Sequence, residues 1–343
     1  MGKQFTERER YQLEILLKQK TPIIKIAELL GKHRNTITRE IKKGTVEFLN
    51  TDLTRRTEYV ADRAEDVYRE NKSKQGAKLK IGADYKLAEY IEKKIIEDKY
   101  SPEAVLMHIK TSKLDFNTTI CKSTLYSYID KGIFLNLTNK YLPVKKNGKK
   151  QQHKRTVALK NLKGKNIEER PADILERKEY GHWELDTVVS GQKKSTSCLL
   201  VFTERATREE IIRKIDNKKN ESVIKTIDKI EKELGTVKFR ATFKTITMDN
   251  GVEFLNSTGI EKSCINKKTP RTTTYYCHPY SSWERGSNEN ANKLIRRFIP
   301  KGDDISTYTD EQIKYIENWL NNYPRKIFDG KSALQKREEF LTA

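Results

Sequence analysis

Two apolar segments that each carry an aspartate, followed by a helical segment that carries a glutamate, constrain the fold of the second half of this chain. Asp186 interrupts the apolar run at residues 183–189, and Asp249 directly follows the apolar run Thr245–Met248, so both runs are predicted to be β-strands. Glu289 begins a helical pattern. A mixed α/β domain of this kind can bring three carboxylates to one point, and such a point binds a divalent metal ion.

The two aspartates suit metal-assisted chemistry on phosphodiesters, which uses hard oxygen ligands to hold two cations about 3.5–4 Å apart. Asp186 lies among apolar neighbours, where an unpaired carboxylate is unfavourable unless a cation compensates it. A structural salt bridge is the alternative role for Asp186. Asp249 begins an Asp-Asn-Gly sequence, which by itself indicates only a turn. The aspartates therefore predict a metal site only in combination.

Helical periodicity distinguishes two neighbouring glutamates, Glu284 and Glu289. Glu284 precedes Gly286 and is expected in a loop. An apolar stripe with helical spacing follows, and its members are Ala291, Leu294, Ile295 and Phe298. The opposite face carries Glu289, Asn292, Lys293 and Arg296. We expect Glu289 to point away from the core, with Lys293 and Arg296 placed to bind substrate phosphates. A plain amphipathic surface helix would show the same stripe.

Residues 173–330 are predicted to form an α/β domain of the ribonuclease-H-like, integrase core type. Three strand patterns separated by short polar breaks indicate an antiparallel meander, at residues 188–189, 198–202 and 211–215. A helical pattern that ends at Gly235, a strand ending at Met248 and a strand ending at Cys277 precede the helix with Glu289. No helix is apparent between the last two strands. Residues 331–343 are expected to be a C-terminal tail.

The charge of the chain indicates nucleic acid as a partner. Its 343 residues suggest two or three domains and have a formal net charge of +21. An anionic membrane is the alternative partner, but the sequence has neither an apolar run of about 18 residues nor a signal-peptide pattern. Four scattered cysteines support neither a zinc ribbon nor a disulfide framework. We therefore expect a cytoplasmic protein, associated with the nucleoid, that has no membrane partner.

Residues 1–45 are predicted to form a helix-turn-helix DNA-binding domain. Thr6 and Glu9 make a capping box for a first helix, Thr21 and Pro22 begin a second, and Gly31 ends it before a third. The last helix of this motif enters the major groove of DNA. Its residues that are expected to reach base edges or phosphates are Arg34, Asn35, Thr36, Thr38, Arg39 and Lys42. An ordinary three-helix bundle with solvated charges is the alternative.

Three segments separate this domain from the α/β domain. Residues 46–98 are predicted to be a charged helical spacer, and residues 99–135 a second helix-turn-helix-like unit. The candidate DNA-contacting residues of that unit are Lys122, Ser123 and Thr124. Residues 136–172 are a basic linker, with ten Lys or Arg and no acidic residue between positions 140 and 165. A linker of this kind can lie along a phosphate backbone, or it can simply be solvated.

These motifs together resemble the insertion sequence 30 family of bacterial DDE transposases, and the resemblance covers nearly the whole chain. The matching segments are residues 5–44, 100–103, 167–171, 181–186 (Gly-His-Trp-Glu-Leu-Asp), 203–208, 245–254, 278–290, 298–302 and 320–326. One departure is the 39 residues, 250–288, that separate Asp249 from Glu289. The extra length falls in residues 255–268, which we expect to be a surface-loop insertion.

The resemblance implies that Asp186, Asp249 and Glu289 form the catalytic, metal-binding triad. It implies a two-metal site for Mg²⁺, with Mn²⁺ able to substitute. It also implies that double-stranded DNA is the partner, both as the terminal inverted repeats of the element and as the target, and that the protein acts as a homo-oligomer in the DNA complex.

The sequence thus predicts a DNA transposase. The expected reaction is attack of water on a phosphodiester at the element end, followed by attack of the freed 3′ hydroxyl on target DNA. A DNA-binding regulator that retains the fold without catalysis is one alternative, and a non-transposing nuclease is another. The intact set of three carboxylates argues against the regulator, and the two predicted DNA-reading units argue against the nuclease.

Overall fold

The computed structural model describes residues 4–74, 79–143, 164–279 and 281–342. The chain forms two compact units, Met1–Leu79 and Lys80–Ala343, and each is described by itself. The central part of the predicted basic linker, residues 144–163, lies outside the described residues.

The N-terminal unit contains the three helices expected of a helix-turn-helix domain. Leu13, Ile26 and Ile37 are fully buried at its centre. The predicted capping box is present, because the Thr6 hydroxyl accepts from the Glu9 amide and the Glu9 carboxylate accepts from the Thr6 amide. The elements of this unit are α1 (Glu7–Lys18), α2 (Ile23–Leu29), α3 (Arg34–Gly44), β1 (Thr45–Leu49), β2 (Arg55–Tyr59) and α4 (Ala61–Ser73).

The start of α2 differs by one residue from the prediction. Pro22 is the N-cap of α2 rather than its first residue, because its ψ of 141° is not helical. Gly31 ends the turn after α2 with a φ of +58°, a left-handed conformation that glycine adopts without a steric penalty. The turn between α2 and α3 therefore depends on this glycine.

The predicted helical spacer, residues 46–98, is not a single element. β1 and β2 form an antiparallel hairpin, and α4 packs against α1 and α3 of the same unit. Ala61 and Ala64 of α4 are buried in that contact, where their small side chains allow close approach of the helices. The last part of the segment, from Lys80 onward, belongs to the other unit. Most residues of the hairpin are exposed, so the sequence carries no hydrophobic alternation that would have revealed it.

The C-terminal unit is built on a five-stranded mixed sheet. Its strands are β3 (His182–Val189), β4 (Cys198–Glu204), β5 (Glu210–Ile215), β6 (Thr245–Met248) and β7 (Thr273–Tyr276). The strand order is β5-β4-β3-β6-β7; the first three are antiparallel, and β6 and β7 are parallel to β3. This arrangement confirms the predicted α/β, ribonuclease-H-like fold, including its antiparallel meander.

Helices pack on both faces of this sheet. Those of the unit are α5 (Tyr85–Ile96), α6 (Pro102–Thr111), α7 (Lys122–Asp130), α8 (Asn220–Leu234), α9 (Thr236–Thr242), α10 (Ser257–Glu261), α11 (Gly286–Ile295), α12 (Asp310–Asn322) and α13 (Ala333–Thr342). Trp183 and Leu185 of β3 lie in the core shared with α8 and α9. Because side chains alternate along a strand, Glu184 and Asp186 lie on the opposite face, where Val188 packs with α11 and α12.

The predicted second helix-turn-helix-like unit, residues 99–135, is not separate from the α/β domain. Helices α5, α6 and α7 share one hydrophobic core with α11 and α12. The ring of Tyr100 lies edge-on to Trp319, with centroids 5.7 Å apart, and Trp319 Nε1 donates to the Asp98 carbonyl at 2.7 Å. Ten residues connect α6 to α7, whereas a helix-turn-helix turn has about 3–4. The structure therefore differs from the predicted domain boundaries here.

Residues 255–268, predicted to be a surface-loop insertion, are folded into the domain. Ile260 of α10 is fully buried, and α10 packs against α8 and β7. The buried guanidinium of Arg271 pairs with Asp228 at 2.6 Å and with Glu231 at 3.1 Å, which holds the segment after α10 against α8. α10 is the helix between the last two strands, and its five residues are too few to produce a periodic pattern.

The predicted C-terminal tail, residues 331–343, is also part of the folded unit. α13 packs against α12, and Ala333 is fully buried. Arg337 of α13 pairs with Glu209, next to β5, at 2.6 Å. The predicted domain end at residue 330 therefore lies inside the C-terminal unit.

We expect Trp319→Ala to destabilise the whole C-terminal unit by about 3–5 kcal/mol, because the ring joins α5–α7 to α12 and its loss leaves a cavity. Denaturant unfolding measures the change, and hydrogen exchange should show α5–α7 and the sheet losing protection together. Tyr85→Ala is the control, because Tyr85 is 81% exposed and its loss should cost less than about 0.5 kcal/mol. Loss of protection in α5–α7 alone would contradict a shared core.

Candidate active site

Asp186 lies in β3, and Asp249 directly follows β6, the parallel strand beside β3, so both lie in one region of the sheet. β3 and β6 pair so that Glu184 is opposite Thr247. Each aspartate is two residues further along its strand direction, and side chains repeat on the same face every two residues. The strand pairing therefore brings the two predicted aspartates together.

The guanidinium of Arg285 joins these two carboxylates. Arg285 Nη2 is 3.0 Å from Asp249 Oδ2, and Arg285 Nη1 is 3.4 Å from Asp186 Oδ1. Nη1 also donates to the Leu185 carbonyl at 3.0 Å. Burial disfavours the charged guanidinium, but the charges of Asp186 and Asp249 outweigh burial and raise the pKa of Arg285. Both aspartates thus converge on a single cationic group.

Helix α11 lies over this region of the sheet. Asn292 Nδ2 donates to Asp186 Oδ2 at 2.7 Å, so this face of the helix meets the aspartate. Glu289 is three residues before Asn292, on the same face, and its side chain is exposed. It makes no hydrogen bond or ion pair with the residues that the structure describes. α11 buries Ala291, Leu294 and Ile295 of the predicted apolar stripe, whereas Phe298 follows the helix and is half-buried. The helix also buries Ser287 and Asn288.

Glu284 faces a different partner. It lies in the 3₁₀ turn Ser282–Arg285, which precedes α11. Its carboxylate accepts from the His278 amide at 3.0 Å and contacts His278 Nδ1 at 2.8 Å. The hydrogen bond from Glu284, opposed by partial burial, raises the pKa of His278. Glu284 therefore holds the ends of the 278–284 segment together.

Lys293 and Arg296, the two cations predicted on the α11 surface, have different surroundings. Lys293 is exposed. Arg296 donates to the Val189 carbonyl at 3.1 Å and to the Pro300 carbonyl at 3.3 Å. Burial lowers the pKa of Arg296. Arg296 thus joins the end of α11 to the end of β3. Of these two cations, Lys293 is the one whose side chain is directed freely to solvent.

Two charged residues in this region, Glu184 and Arg285, were missed in the sequence analysis. Glu184 is fully buried, and it pairs with Arg205 Nη1 at 2.5 Å. Burial raises the pKa of Glu184, and the charge of Arg205 opposes that effect. The two-residue spacing from Glu184 to Asp186 was a signal that both side chains share one face. Nothing in the local sequence indicates the partner of Arg285.

Known proteins resemble this chain in both of its predicted functional regions. A family described as "Helix-turn-helix domain" matches residues 1–44, and one described as "Integrase core domain" matches residues 176–282. The chain is 33% identical over 351 residues to the transposase for insertion sequence element IS4351 of Bacteroides fragilis, covering 99% of this chain and 97% of that protein. It is 31% identical to the probable transposase for the insertion-like sequence element IS1161 of Streptococcus salivarius, covering 99% and 96%.

A third relative is the transposase InsI for insertion sequence element IS30A of Escherichia coli K12, which is 28% identical over 94% of this chain and 80% of that protein. The chain belongs to the insertion sequence 30 family of transposases. As a transposase with an integrase core, it is a DNA-cleaving and strand-transfer enzyme that uses divalent metal. The integrase core match includes Asp186 and Asp249 and ends before Glu289.

The helix-turn-helix domain of the transposase exposes most of the predicted DNA-contacting residues. On α3, Arg34, Asn35, Arg39 and Lys42 are exposed, and Thr36 and Thr38 are half-buried. Ile37 is fully buried, as its spacing predicts. The amide of Asn35 donates to the His33 ring at 3.2 Å, which caps the helix and leaves the Asn35 side chain exposed. No helix in the described part of the chain is both long and apolar enough to cross a membrane.

The predicted contacts on α7 are less available for DNA. Lys122 pairs with Glu103 at 2.9 Å. The hydroxyls of Ser123 and Thr124 each lie 3.1 Å from the Cys121 thiol. These two hydrogen bonds lower the pKa of Cys121 to about 6. All three predicted residues of α7 thus have partners within the protein.

We expect Arg285→Gln to make the metal-free transposase less stable by about 2 kcal/mol, because Asp249 loses its hydrogen bond from the guanidinium and both aspartates lose its charge. Millimolar MgCl₂ should then stabilise the variant more than the wild type, since no ion pair has to be broken for a cation to bind. Urea unfolding in EDTA and in MgCl₂ measures both effects. The control is Arg213→Gln, which breaks a pair with Glu317 elsewhere in the domain. Equal stabilisation of all three proteins by MgCl₂ would contradict a cation site here.

Proposed function

We propose that the transposase binds the terminal inverted repeats of its insertion sequence and cuts and joins DNA at a site formed by Asp186, Asp249 and Glu289. The observation that carries this proposal is the convergence of Asp186 and Asp249 on one cationic group, Arg285. Glu289 completes the proposed set because it shares a helix face with Asn292, which binds Asp186.

The proposed donor set suits Mg²⁺, and Mn²⁺ as a substitute, because both prefer carboxylate oxygen ligands. The position of the Arg285 guanidinium between the two aspartates supports the fit, since a positive charge is already favoured there. We propose that Asp186, Asp249 and Glu289 would hold two such ions. Two bound ions supply activation of the attacking oxygen and stabilisation of the leaving oxygen in an in-line displacement.

In the proposed reaction, water attacks a phosphodiester at the end of the element and frees a 3′ hydroxyl. That hydroxyl then attacks a phosphodiester of target DNA, and the new bond forms as the target strand breaks. No covalent bond between protein and DNA is needed. Asn292 fixes the orientation of the Asp186 carboxylate through its hydrogen bond. Lys293 follows Asn292 in α11, and its exposed ammonium supplies a contact to the substrate phosphates.

We propose that α3 reads the inverted repeats in the major groove, with Arg39 and Asn35 at base edges and Lys42 at a phosphate. α7 is a secondary contact, because Lys122 would first have to leave Glu103. An element has two ends, and each has to be cut. We therefore propose that the DNA complex contains more than one copy of the chain.

Asp186→Asn, Asp249→Asn and Glu289→Gln are each expected to abolish cleavage of an element end while DNA binding is retained, because the amide keeps the shape and removes the charge. Glu284→Gln is the matched control, since Glu284 binds His278 rather than the aspartates, and it should retain most of its activity. Cleavage of a labelled end duplex in MgCl₂, with binding measured in parallel, makes the comparison. An inactive Glu284→Gln beside an active Glu289→Gln would reverse the assignment of the third carboxylate.

Arg39→Ala is expected to weaken binding of the full chain to terminal DNA by about 1–3 kcal/mol and to leave binding to random duplex nearly unchanged. Lys42→Ala, on the same helix, is the control for a phosphate contact and should weaken both equally. Titration of both duplexes at one salt concentration gives the result. The same loss on terminal and random DNA for Arg39→Ala would show that Arg39 does not read sequence.

A further inference from the structure

A cleft of about 430 Å³ in the C-terminal unit contains three arginines, Arg170, Arg177 and Arg205. Arg205 follows β4, whereas the other two lie in the segment that precedes β3. None of the three belongs to the proposed catalytic set. The cleft also contains two acidic residues, Glu168 and Glu284.

The cleft lies next to the aspartates, on the same face of the sheet. Arg205 binds the side chain of Glu184, and Arg170 Nη1 donates to the Thr247 hydroxyl at 3.0 Å. Glu184 and Thr247 are cross-strand partners, and each is two residues before an aspartate. Two residues of strand span about 7 Å, so the arginines lie roughly that far back along the strands from Asp186 and Asp249.

Three guanidinium groups line the cleft, beside two carboxylates, and make few contacts with protein groups. Arg205 has one carboxylate partner, Glu184, and its buried Nε has no hydrogen-bond partner among the described residues. Within the described part of the chain, the Arg170 side chain has only its hydrogen bond to the hydroxyl of Thr247, and the Arg177 side chain has no hydrogen bond or ion pair. An unpaired donor and an unpaired charge in a partly buried site are unfavourable until an anion binds.

The two acidic residues of the cleft already have a partner. Glu284 contacts His278 Nδ1 at 2.8 Å, and Glu168 contacts His278 Nε2 at 3.2 Å. They hold the imidazole between them rather than the guanidinium groups. Burial, and after it the charge of Arg205, lowers the pKa of Arg170 and of Arg177. The charge of Arg205 therefore acts on both of the other arginines as a neighbouring like charge.

We propose that Arg170, Arg177 and Arg205 together bind one backbone phosphate of the DNA strand that is cut at the aspartates. Guanidinium groups donate pairs of parallel hydrogen bonds to phosphate oxygens, and three of them around one cleft match a phosphate group. A strand with its scissile phosphate at the aspartates has its neighbouring phosphates close to this face. This inference rests on the proposed function, because it requires a DNA strand at Asp186 and Asp249.

The test is a scan of the DNA backbone with full-length protein. Single phosphates near the cut bond are replaced, one at a time, by uncharged methylphosphonates. One position beside the scissile phosphate should lower wild-type cleavage about tenfold. With Arg170→Gln or Arg177→Gln, the unmodified duplex should be cut about tenfold more slowly, and the methylphosphonate at that one position should have no further effect. Arg205 is left unchanged, because its loss would leave the buried Glu184 carboxylate without its cationic partner.

Arg240→Gln is the matched control. Arg240 is a half-buried arginine of the same unit that donates to the Pro270 carbonyl at 3.1 Å and to Thr269. This variant should keep the wild-type sensitivity at every position of the scan. Because the Arg177 side chain makes no hydrogen bond or ion pair with the described residues, Arg177→Gln tests the proposal even if Arg170→Gln folds poorly.

Salt dependence provides a second measurement. Each phosphate neutralised on duplex DNA contributes about −0.9 to the slope of log affinity against log salt concentration. The proposal predicts that the double variant, with Arg170→Gln and Arg177→Gln, changes this slope by about 0.9, the contribution of one phosphate. The change should be no larger than that of the more affected single variant, because both arginines bind the same phosphate. Twice that contribution for the double variant would mean two separate phosphates and would overturn the shared site.

The outcomes separate this inference from the proposed function. If wild-type protein cleaves the end and no flanking methylphosphonate affects Arg177→Gln differently from Arg240→Gln, the arginines only stabilise the fold and the phosphate site is wrong. If wild-type protein in MgCl₂ does not cleave the end at all, the proposed function fails, and the phosphate site fails with it. Weak cleavage with wild-type sensitivity in Arg170→Gln would likewise count against the shared phosphate.

Discussion

The parallel pairing of β3 with β6 is the contact on which the proposed active site depends. It sets Glu184 opposite Thr247, so that Asp186 and Asp249 lie next to each other on the same face of the sheet. A slip of one residue in either strand would turn its aspartate to the opposite face. The register is held by apolar side chains on the other face, where Trp183 and its neighbours are buried against α8 and α9. The hydrophobic packing of one face thus positions the carboxylates of the other.

Charge compensation is the second consequence of this pairing. Carboxylates that are buried or close together are unfavourable without a cation, and the unit places an arginine beside them. Arg205 pairs with the buried Glu184, and Arg285 lies between Asp186 and Asp249. Asn292 adds a neutral donor to Asp186. In the proposed function, a cation that binds at the two aspartates has to compete with Arg285.

The packing of α5–α7 on α12 joins a predicted DNA-contacting segment to the catalytic sheet. Tyr100 and Trp319 lie at this junction, and one hydrophobic core runs through it. Strain in one part of a close-packed core is transmitted to its neighbours. The α3 recognition helix belongs to the other compact unit, with its own core around Ile37. The proposed DNA-reading helix α3 and the proposed catalytic aspartates therefore belong to separately folded units.

Local sequence patterns were sufficient for the features that depend on neighbouring residues. Alternation placed Asp186 on a strand, helical spacing placed Glu289 and Asn292 on one face of α11, and the Thr6 capping box began α1 where predicted. The hairpin of β1 and β2 and the five-residue α10 had no periodic signal, because one is exposed and the other is short. Their existence could not be predicted by pattern alone.

The partners of the charged residues were decided only by the tertiary structure. Arg285 meets Asp186 about one hundred positions away, Arg205 meets Glu184 on another strand, and Trp319 packs against a helical region more than two hundred positions before it. Short-range periodicity reports which face a side chain occupies, but it carries no information about which distant side chain lies opposite. Composition and spacing therefore sufficed to predict Asp186, Asp249 and Glu289 as the carboxylates of the proposed site. Strand pairing and long-range packing decided which cations surround them.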